Sequence, residues 1–285
     1  MSGGTVHPKQ AAHPKVAFPK VELSSRGKAI RRTILDIVHK SGASHIGSSM
    51  SMVEILSAIY ENMDLDKIRI QAPDRDRLLV SKGHSAAAVY AAMHEFGLMD
   101  RPLLETYYKN DSLLSGHVSH WVPLIEHSTG ALGHGLPVGV GIAIGLKAKK
   151  FLSSRVFVVL GDGETHEGSN WEAMMYAGHR QLNNLCVLVD NNGIGGVGFT
   201  DAVCNVQNLE NMIASFGFET FSVDGHDEEG LRKLLEKTKG TTSRPVGIVC
   251  HTIKGKGVSF MENDGNWHYR SPNQEAREKA LVELA

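Results

Sequence analysis

Two glycine-rich segments combine residue types that suit a site for a metal ion and a diphosphate. The first, VVLGDGETHEG, occupies positions 158–168, and the second, VDNNGIGG, occupies positions 189–196. Each segment begins with the end of an apolar run that predicts a strand, and continues into a loop. Because parallel strands end at the same edge of a sheet, we expect both loops at that edge. Glycine lets backbone amides approach an anion at a helix N-terminus. Asp162 would repel that anion unless a cation lay between them, which predicts a bound Mg²⁺ or another divalent ion such as Ca²⁺ or Mn²⁺.

Two further oxygen atoms are candidates for ligands of the same ion. Asn192 follows the neighbouring strand, so its side-chain oxygen can converge on the metal from the second loop. The glycines around Ile194 free that loop to turn the Ile194 carbonyl inward. Either motif alone is as well explained by a simple turn, and DNNG fits a type I′ turn. Their combination, separated by one βα unit, favours the metal–diphosphate site.

The elements that position these loops alternate between strands and helices. The predicted strands are Arg77–Val80, Val156–Leu160, Leu185–Asp190, Phe218–Val223 and Val246–Cys250. The predicted helices include 24–41, Met52–Met63, Ser85–Phe96, Ser169–His179 and Glu228–Lys237. This alternation predicts an α/β fold in which a parallel central sheet carries helices on both faces. We expect residues 100–127 to be irregular.

The chain is predicted to form one domain over residues 21–285. No internal repeat or linker divides that part of the sequence. Residues 1–20 lack apolar periodicity and a long hydrophobic run, so we expect them to form a flexible N-terminal arm rather than a secretory signal.

Composition excludes several classes of protein. Thirty basic and 31 acidic residues give the 285-residue chain a formal net charge of −1, which argues against a basic surface for nucleic acid. The apolar runs are too short to cross a membrane. Cys186, Cys204 and Cys250 lack the spacing of a disulfide framework or zinc site, so a cytoplasmic location is expected.

These motifs together resemble those of the transketolase family of thiamine-diphosphate enzymes. The resemblance extends from about Ser24 to His268 and includes GDG followed by NN, the combination found in enzymes that use this cofactor. It is carried by DRLLVSKGH at 76–84, SGH at 115–117, STGALGHG at 128–135 and GDGETHEG at 161–168. The implied fold is the α/β domain that binds the diphosphate of the cofactor.

The resemblance also implies roles for the cofactor-binding residues. Asp162, Asn192 and the carbonyl of Ile194 would hold the metal, and the amide of Gly163 would donate to the diphosphate. The remaining implied cofactor contacts are Gly130 and Leu132 with the aminopyrimidine, and His84 with the diphosphate. Lys254, in TIKGKG, either reaches the diphosphate or is a solvated lysine at a strand end.

A second set of residues is implied to act on the sugar. His45, His117 and His268 would line the channel for the sugar donor, and His84 would also face the substrate. Glu167 would lie at the subunit contact, in a carboxylate relay between active sites and near the cofactor. Ordinary surface or packing roles are expected for five of the other histidines: His7, His13, His94, His179 and His226.

Several positions depart from the motifs of the family. Ile46 and Ala131 stand where the family has proline, which removes two rigid turns. His134 replaces glutamine and is either a packing substitute or an added polar group near the pyrimidine. Glu164, directly after GDG, is expected to be another acid near the metal.

The resemblance implies the N-terminal subunit of a split transketolase. Such a chain would transfer a two-carbon ketol unit from a ketose or ketose phosphate to an aldose or aldose phosphate. It would need a separate C-terminal subunit with the pyrimidine-binding domain, in an α2β2 assembly, because that domain supplies the glutamate that activates the cofactor.

Other functions stay open at this point. Within the same chemistry, the substrate could be a sulfosugar, a deoxysugar or a natural-product intermediate, or the enzyme could resemble 1-deoxyxylulose-phosphate synthase. A binding module without catalysis is disfavoured because Asp162, Asn192, His84 and Glu167 are all present. A nucleotide-binding protein is disfavoured because neither GxxxxGK[ST] nor GxGxxG opens a helix.

Overall fold

A five-stranded parallel sheet forms the centre of the fold. The computed structural model describes residues 18–19, 21–204, 206, 208–240 and 243–285, so most of the predicted arm, 1–17 and 20, lies outside the described residues. The strands are Arg77–Val80 (β1), Val156–Gly161 (β2), Leu185–Asn191 (β3), Glu219–Asp224 (β4) and Val246–His251 (β5). They lie in the order β1-β2-β3-β5-β4, with every neighbouring pair parallel.

Helices precede the first strand, connect the strands and follow the last one. They are Ser25–Ser41 (α1), Ile46–Ser51 (α2), Val53–Glu61 (α3), Leu65–Arg69 (α4), Ala86–Glu95 (α5), Arg101–Leu104 (α6), Gly135–Ala148 (α7), Gly168–His179 (α8), Thr200–Val203 (α9), Leu209–Ser215 (α10), Glu228–Lys237 (α11) and Gln274–Glu283 (α12). Short 3₁₀ turns cover Gly83–Ser85, Gly163–His166 and Gly265–His268. Within the described ranges, no helix is both long enough and apolar enough to span a membrane.

The sheet separates two hydrophobic cores. Along β2, Phe157 and Val159 face one core, whereas Val156, Val158 and Leu160 face the other. This alternation follows from the two-residue repeat of a strand. Helices α1, α3, α5 and α11 contribute to the first core, and α7, α8 and α10 contribute to the second. The predicted α/β fold with helices on both faces is therefore confirmed.

Most predicted elements lie within one or two residues of the observed ones. The strand β1 and the helix α11 have the predicted bounds, and β2, β3 and β5 each extend one residue further. The sequence analysis did not predict α2 or α12. The region expected to be irregular contains α6, whose N-terminus is capped by the side chain of Asp100.

Gly139 allows α7 to approach β2 closely, which gives a stability test. A Cβ atom at this position would lie 2.5 Å from Cγ2 of Val158, so Gly139→Ala should lower the free energy of unfolding by about 1–3 kcal/mol. Gly141 on the same helix has no atom within 4 Å of such a Cβ. Gly141→Ala should therefore be neutral or stabilising by up to about 1 kcal/mol. Urea unfolding of both variants measures the difference, and equal losses would contradict this packing.

Candidate active site

The metal ligands expected from the sequence lie together at the carboxyl edge of the sheet. Asp162, which is 5% exposed, accepts hydrogen bonds from the amides of Gly163 at 2.8 Å and Gly193 at 2.5 Å. It thus joins the loop after β2 to the loop after β3. In the second loop, Oδ1 of Asn192 accepts from the amide of Ile194 at 3.1 Å. The predicted convergence of the two loops is present in the fold.

The environment of Asp162 favours a nearby positive charge. Burial raises the pKa of this carboxyl group, and the negative charge of Asp190 raises it further. The amides of Gly193 and Gly163 and the ammonium of Lys254 act in the opposite direction. A carboxylate in such a place gains from an additional cation, because burial has removed its water.

Lys254 belongs to this site and is not a solvated lysine. The residue is 1% exposed, and its Nζ atom donates to the carbonyl of Ile194 at 2.8 Å and to Nδ1 of His268 at 3.0 Å. Burial lowers the pKa of Lys254 to about 8, and repulsion from Lys82 adds to the decrease. The ammonium therefore links the predicted metal loop to the histidines.

The sequence analysis missed a buried ion pair between Lys82 and Asp190 at this edge of the sheet. Nζ of Lys82 donates to Oδ2 of Asp190, and neither side chain is more than 2% exposed. Asp190 also accepts from Ser51 Oγ at 2.6 Å and from Thr252 Oγ1. Burial alone would raise the pKa of Asp190, but the ammonium of Lys82 and these hydrogen bonds outweigh it and lower that pKa. The lysine of SKGH and the aspartate that ends the apolar run of β3 were the available signals.

A further buried network supports the loop that carries Lys254. The carboxylate of Glu54 pairs with Arg31 and accepts from Nδ1 of His226 at 2.9 Å. Nε2 of His226 in turn accepts from the amide of Ile253 at 2.8 Å. Because Ile253 precedes Lys254, this network fixes the backbone that carries the lysine. The packing role expected for His226 agrees with these contacts.

The four histidines singled out from the sequence form one cluster. The ring centroid of His45 lies 5.1 Å from that of His84, 5.8 Å from that of His117 and 4.8 Å from that of His268. His45 has a φ of 69°, and its amide donates to the carbonyl of His268 at 2.8 Å. Two segments that are distant in sequence are thereby held side by side.

Tyr269 completes the outer side of this cluster, and the sequence analysis did not select it. Its ring centroid lies 4.8 Å from that of His268 and 6.5 Å from that of His45. The side chain is nevertheless 64% exposed. Its position directly after His268 was the only signal in the sequence.

Three rings of the histidine cluster, those of His45, His84 and His268, are neutral near pH 7. Burial, followed by the charges of His117 and Lys254, lowers the pKa of His45 to about 4. Burial and Lys254 lower the pKa of His268 to about 3, and burial with Lys82 lowers the pKa of His84 well below its ordinary value. A neutral imidazole has one donor and one acceptor nitrogen, so these rings can bind hydroxyl groups and exchange protons with them.

The remaining predicted residues lie on the loop before α7 and beside it. A Cβ atom on Gly130, where φ is 153°, would lie 2.9 Å from Cδ2 of His117. The carbonyl of Leu132 accepts from Nδ1 of His134 at 3.0 Å, so this histidine ties its own loop instead of packing in the core. Glu167 is exposed, and its Cβ would lie 2.6 Å from one built on Gly133.

Glu164 is buried and joins several loops through its carboxylate. Its carboxylate accepts from Ser81 Oγ, from the amide of Gly133 at 2.9 Å and from the amide of Gly161 at 3.2 Å. These partners belong to separate loops at the carboxyl edge, so Glu164 is an acid that joins loops.

Comparison with known proteins assigns the chain to a family. The family model described as "Transketolase, thiamine diphosphate binding domain" matches residues 24–280. The chain belongs to the transketolase family. It contains the thiamine-diphosphate-binding domain of that family, as the motifs around Asp162 and Asn192 implied.

Two relatives named as transketolase subunits match along nearly their whole length. The apulose-4-phosphate transketolase subunit of Actinobacillus succinogenes is 39% identical over 266 residues, which are 92% of this chain and 96% of that protein. The 6-deoxy-6-sulfo-D-fructose transketolase subunit SqwG of Clostridium sp. strain MSTE9 is 34% identical, over 93% of this chain and 97% of its own length. The chain therefore corresponds in extent to single subunits of transketolases.

Solved transketolase structures have the same fold. The Campylobacter jejuni enzyme matches with a TM-score of 0.83 and 27% identity, over 91% of this chain and 42% of that one. The Leishmania mexicana enzyme matches with a TM-score of 0.82 and 29% identity, over 92% of this chain and 41% of that one. This chain thus spans about two fifths of the length of these transketolases.

The lowered pKa values of the histidines predict how stability depends on pH. Between pH 6.5 and about 4 the unfolded chain binds a proton at position 45 that the folded chain does not bind, so the free energy of unfolding falls as the pH falls. His45→Gln should make this dependence less steep. Urea unfolding at several pH values measures the slope, and the ring shifts of His45 in NMR spectra give its midpoint. A midpoint near 6.5 would contradict the lowered pKa of His45.

Proposed function

We propose that this chain is the diphosphate-binding subunit of a split, thiamine-diphosphate-dependent transketolase. It transfers a two-carbon ketol unit from a ketose or ketose phosphate to an aldose or aldose phosphate. The observation that carries this proposal is that the loops bearing Asp162 and Asn192 meet, and that Lys254 joins the carbonyl of Ile194 to the four-histidine cluster. The near full-length similarity to two proteins named as transketolase subunits supports the half-enzyme.

The residues at the carboxyl edge fit a hard divalent cation that is only partly held by protein. Asp162 supplies a carboxylate, Asn192 an amide oxygen and Ile194 a carbonyl oxygen. Among the described residues, no group of three or more His, Cys, Asp or Glu side chains is arranged to hold a metal alone. Mg²⁺ is commonly held by one or two carboxylates, with phosphate oxygens and water completing its shell. We therefore assign Mg²⁺, or Ca²⁺ or Mn²⁺ in its place, to these three oxygens together with the diphosphate.

The other cofactor contacts follow from the same arrangement. The Gly163 amide and the Lys254 ammonium are the groups proposed to bind phosphate oxygens. In this structure the amide donates to Asp162 and the ammonium to the Ile194 carbonyl, so both groups contact the predicted metal ligands. Gly130 and Leu132 lie on the loop assigned to the aminopyrimidine, and His84 lies at the inner end of the histidine cluster. Glu167 is exposed beside that loop, which suits its proposed place in a relay at the subunit contact.

The histidines bind the sugar and handle its protons. Thiamine diphosphate, when bound, supplies the nucleophilic carbon and the electron sink for cleavage of the ketose. His45, His117 and His268 line the substrate side. The neutral rings of His45 and His268 can donate to one hydroxyl oxygen and accept a proton from another. The buried Lys254 holds Nδ1 of His268 as an acceptor, so the other ring nitrogen of His268 carries the donor proton.

A specialised sugar is the substrate class that the relatives favour. The two transketolase subunits compared above are named for apulose 4-phosphate and for 6-deoxy-6-sulfo-D-fructose. Both names describe ketol transfer, which supports transketolase chemistry over 1-deoxyxylulose-phosphate synthesis. We propose a ketose of this specialised kind as the donor.

The proposed enzyme is an α2β2 assembly in the cytoplasm. Its second subunit carries the pyrimidine-binding domain. The A. succinogenes relative is itself named as one subunit of a transketolase, which supports the existence of such a partner. The free thiols of Cys186, Cys204 and Cys250 are consistent with a reducing compartment.

Cofactor binding by the full-length chain tests the metal–diphosphate site. Calorimetry should detect thiamine diphosphate binding that depends on Mg²⁺, and Asp162→Asn should weaken it at least 10-fold because one ligand charge is lost. Asp76→Asn is the matched control, since Asp76 is a largely buried acid at the opposite edge of the sheet that accepts from the amide of Arg155 at 2.6 Å. Equal affinity of Asp162→Asn and the unaltered chain would overturn the metal assignment.

Turnover tests the split-enzyme proposal separately. The purified chain, supplied with thiamine diphosphate, Mg²⁺ and ketose–aldose pairs, should show no ketol transfer. Addition of the C-terminal subunit should restore transfer. Substantial turnover by the chain alone would refute the requirement for a partner.

A further inference from the structure

One buried carboxylate connects three of the loops at the carboxyl edge. Glu164 is 2% exposed, and its carboxylate accepts hydrogen bonds from three separate donors. Oε1 accepts from the hydroxyl of Ser81 and from the amide of Gly133, and Oε2 accepts from the amide of Gly161. These donors come from the loop after β1, the loop before α7 and the end of β2.

Ser81 extends the hydrogen-bond network of Glu164 to the start of α7. This residue is fully buried, and its Oγ atom donates to Glu164 and accepts from the amide of Gly135 at 3.1 Å. The loops are also in close steric contact, because a Cβ atom on Gly135 would lie 2.5 Å from the Cβ of Ser81. Glu164 and Ser81 therefore fix the separation of the three loops through hydrogen bonds and packing.

Each connected loop carries residues that the proposed function assigns to the cofactor. His84 is three positions after Ser81, and Gly130 and Leu132 come shortly before Gly133. Asp162 directly follows Gly161. The anchoring points are thus within three residues of contacts to the diphosphate, the pyrimidine and the metal.

We propose that Glu164, together with Ser81, is a positioning residue that sets the three cofactor-binding loops at the spacing that thiamine diphosphate requires. This inference rests on the proposed function. Glu164 acts through the loops and does not touch the cofactor or the metal. Small errors in the placement of groups around a ligand have large effects on binding and rate, which is why one buried acid can have this influence.

The substitution Glu164→Gln tests the chemistry of this anchor with little change in volume. The carboxamide has an NH₂ group in place of one acceptor oxygen, and that group would face a backbone or hydroxyl donor. At least one of the three hydrogen bonds to residue 164 should therefore be lost, and the loop that donates it should become more mobile. Ser81→Ala removes the hydroxyl that joins Glu164 to the amide of Gly135, while the carboxylate of Glu164 remains. Asp76→Asn again serves as the control, because it alters a buried acid remote from the site.

Two measurements on the full-length chain distinguish positioning from general stability. In the absence of cofactor, amide hydrogen exchange across residues 128–135 should be at least 10-fold faster in Glu164→Gln and Ser81→Ala than in the unaltered chain. With Mg²⁺ present, calorimetry should give at least 10-fold weaker binding of thiamine diphosphate. Asp76→Asn should change neither the exchange rate across residues 128–135 nor the affinity for thiamine diphosphate, even if it lowers the melting temperature as much as Glu164→Gln does.

The outcomes separate this inference from the proposed function. If Glu164→Gln lowers the melting temperature but leaves exchange and affinity equal to the control, Glu164 is only a structural acid and the inference is wrong. Faster exchange with unchanged affinity also overturns it. If the unaltered chain does not bind thiamine diphosphate with Mg²⁺ even in the presence of the C-terminal subunit, the proposed function fails. The positioning of cofactor loops then fails with it, whatever the exchange rates are.

Discussion

The negative charge of Asp162, held almost out of water at the end of β2, is the constraint on which the edge of the sheet depends. Backbone amides from two loops reach this carboxylate, and Lys254 lies near enough to lower its pKa. The parallel sheet makes this possible, because it brings the ends of β2, β3 and β5 to the same side. Loops that are distant in sequence meet around one acid, and a divalent ion with a diphosphate fits the remaining oxygen atoms.

Charge and neutrality are arranged in layers at this edge. The inner layer contains two lysines and two aspartates, with Lys82 paired to Asp190 and Lys254 close to Asp162. The outer layer contains His45, His84 and His268, which burial and the inner lysines keep unprotonated. This order follows from electrostatics: two buried ammonium groups oppose any further positive charge nearby. The lysines that balance the acids therefore also determine the protonation state of the rings.

The sequence was sufficient where structure follows local patterns. Short apolar runs predicted the strands. The positions of the two glycine-rich segments after β2 and β3 predicted that these loops would meet, as the bond from the Gly193 amide to Asp162 shows. Helix α2 was missed because IGSSMS is rich in small and polar residues and is buried through contacts that are not local. The pairing of Lys82 with Asp190 and the contacts of Glu164 were missed for the same reason, since each joins segments brought together only by the fold. Family resemblance selected His268, which no local pattern would have indicated.

Tyr269 and its histidine neighbours have a consequence for molecular discrimination. A surface of uncharged rings responds to the directions of hydroxyl groups and to the stereochemistry of the carbons that bear them. It has little means of distinguishing a phosphate from a sulfonate at the far end of a molecule. Two related subunits are named for a phosphorylated and for a sulfonated sugar, and a surface of uncharged rings is compatible with either anionic group.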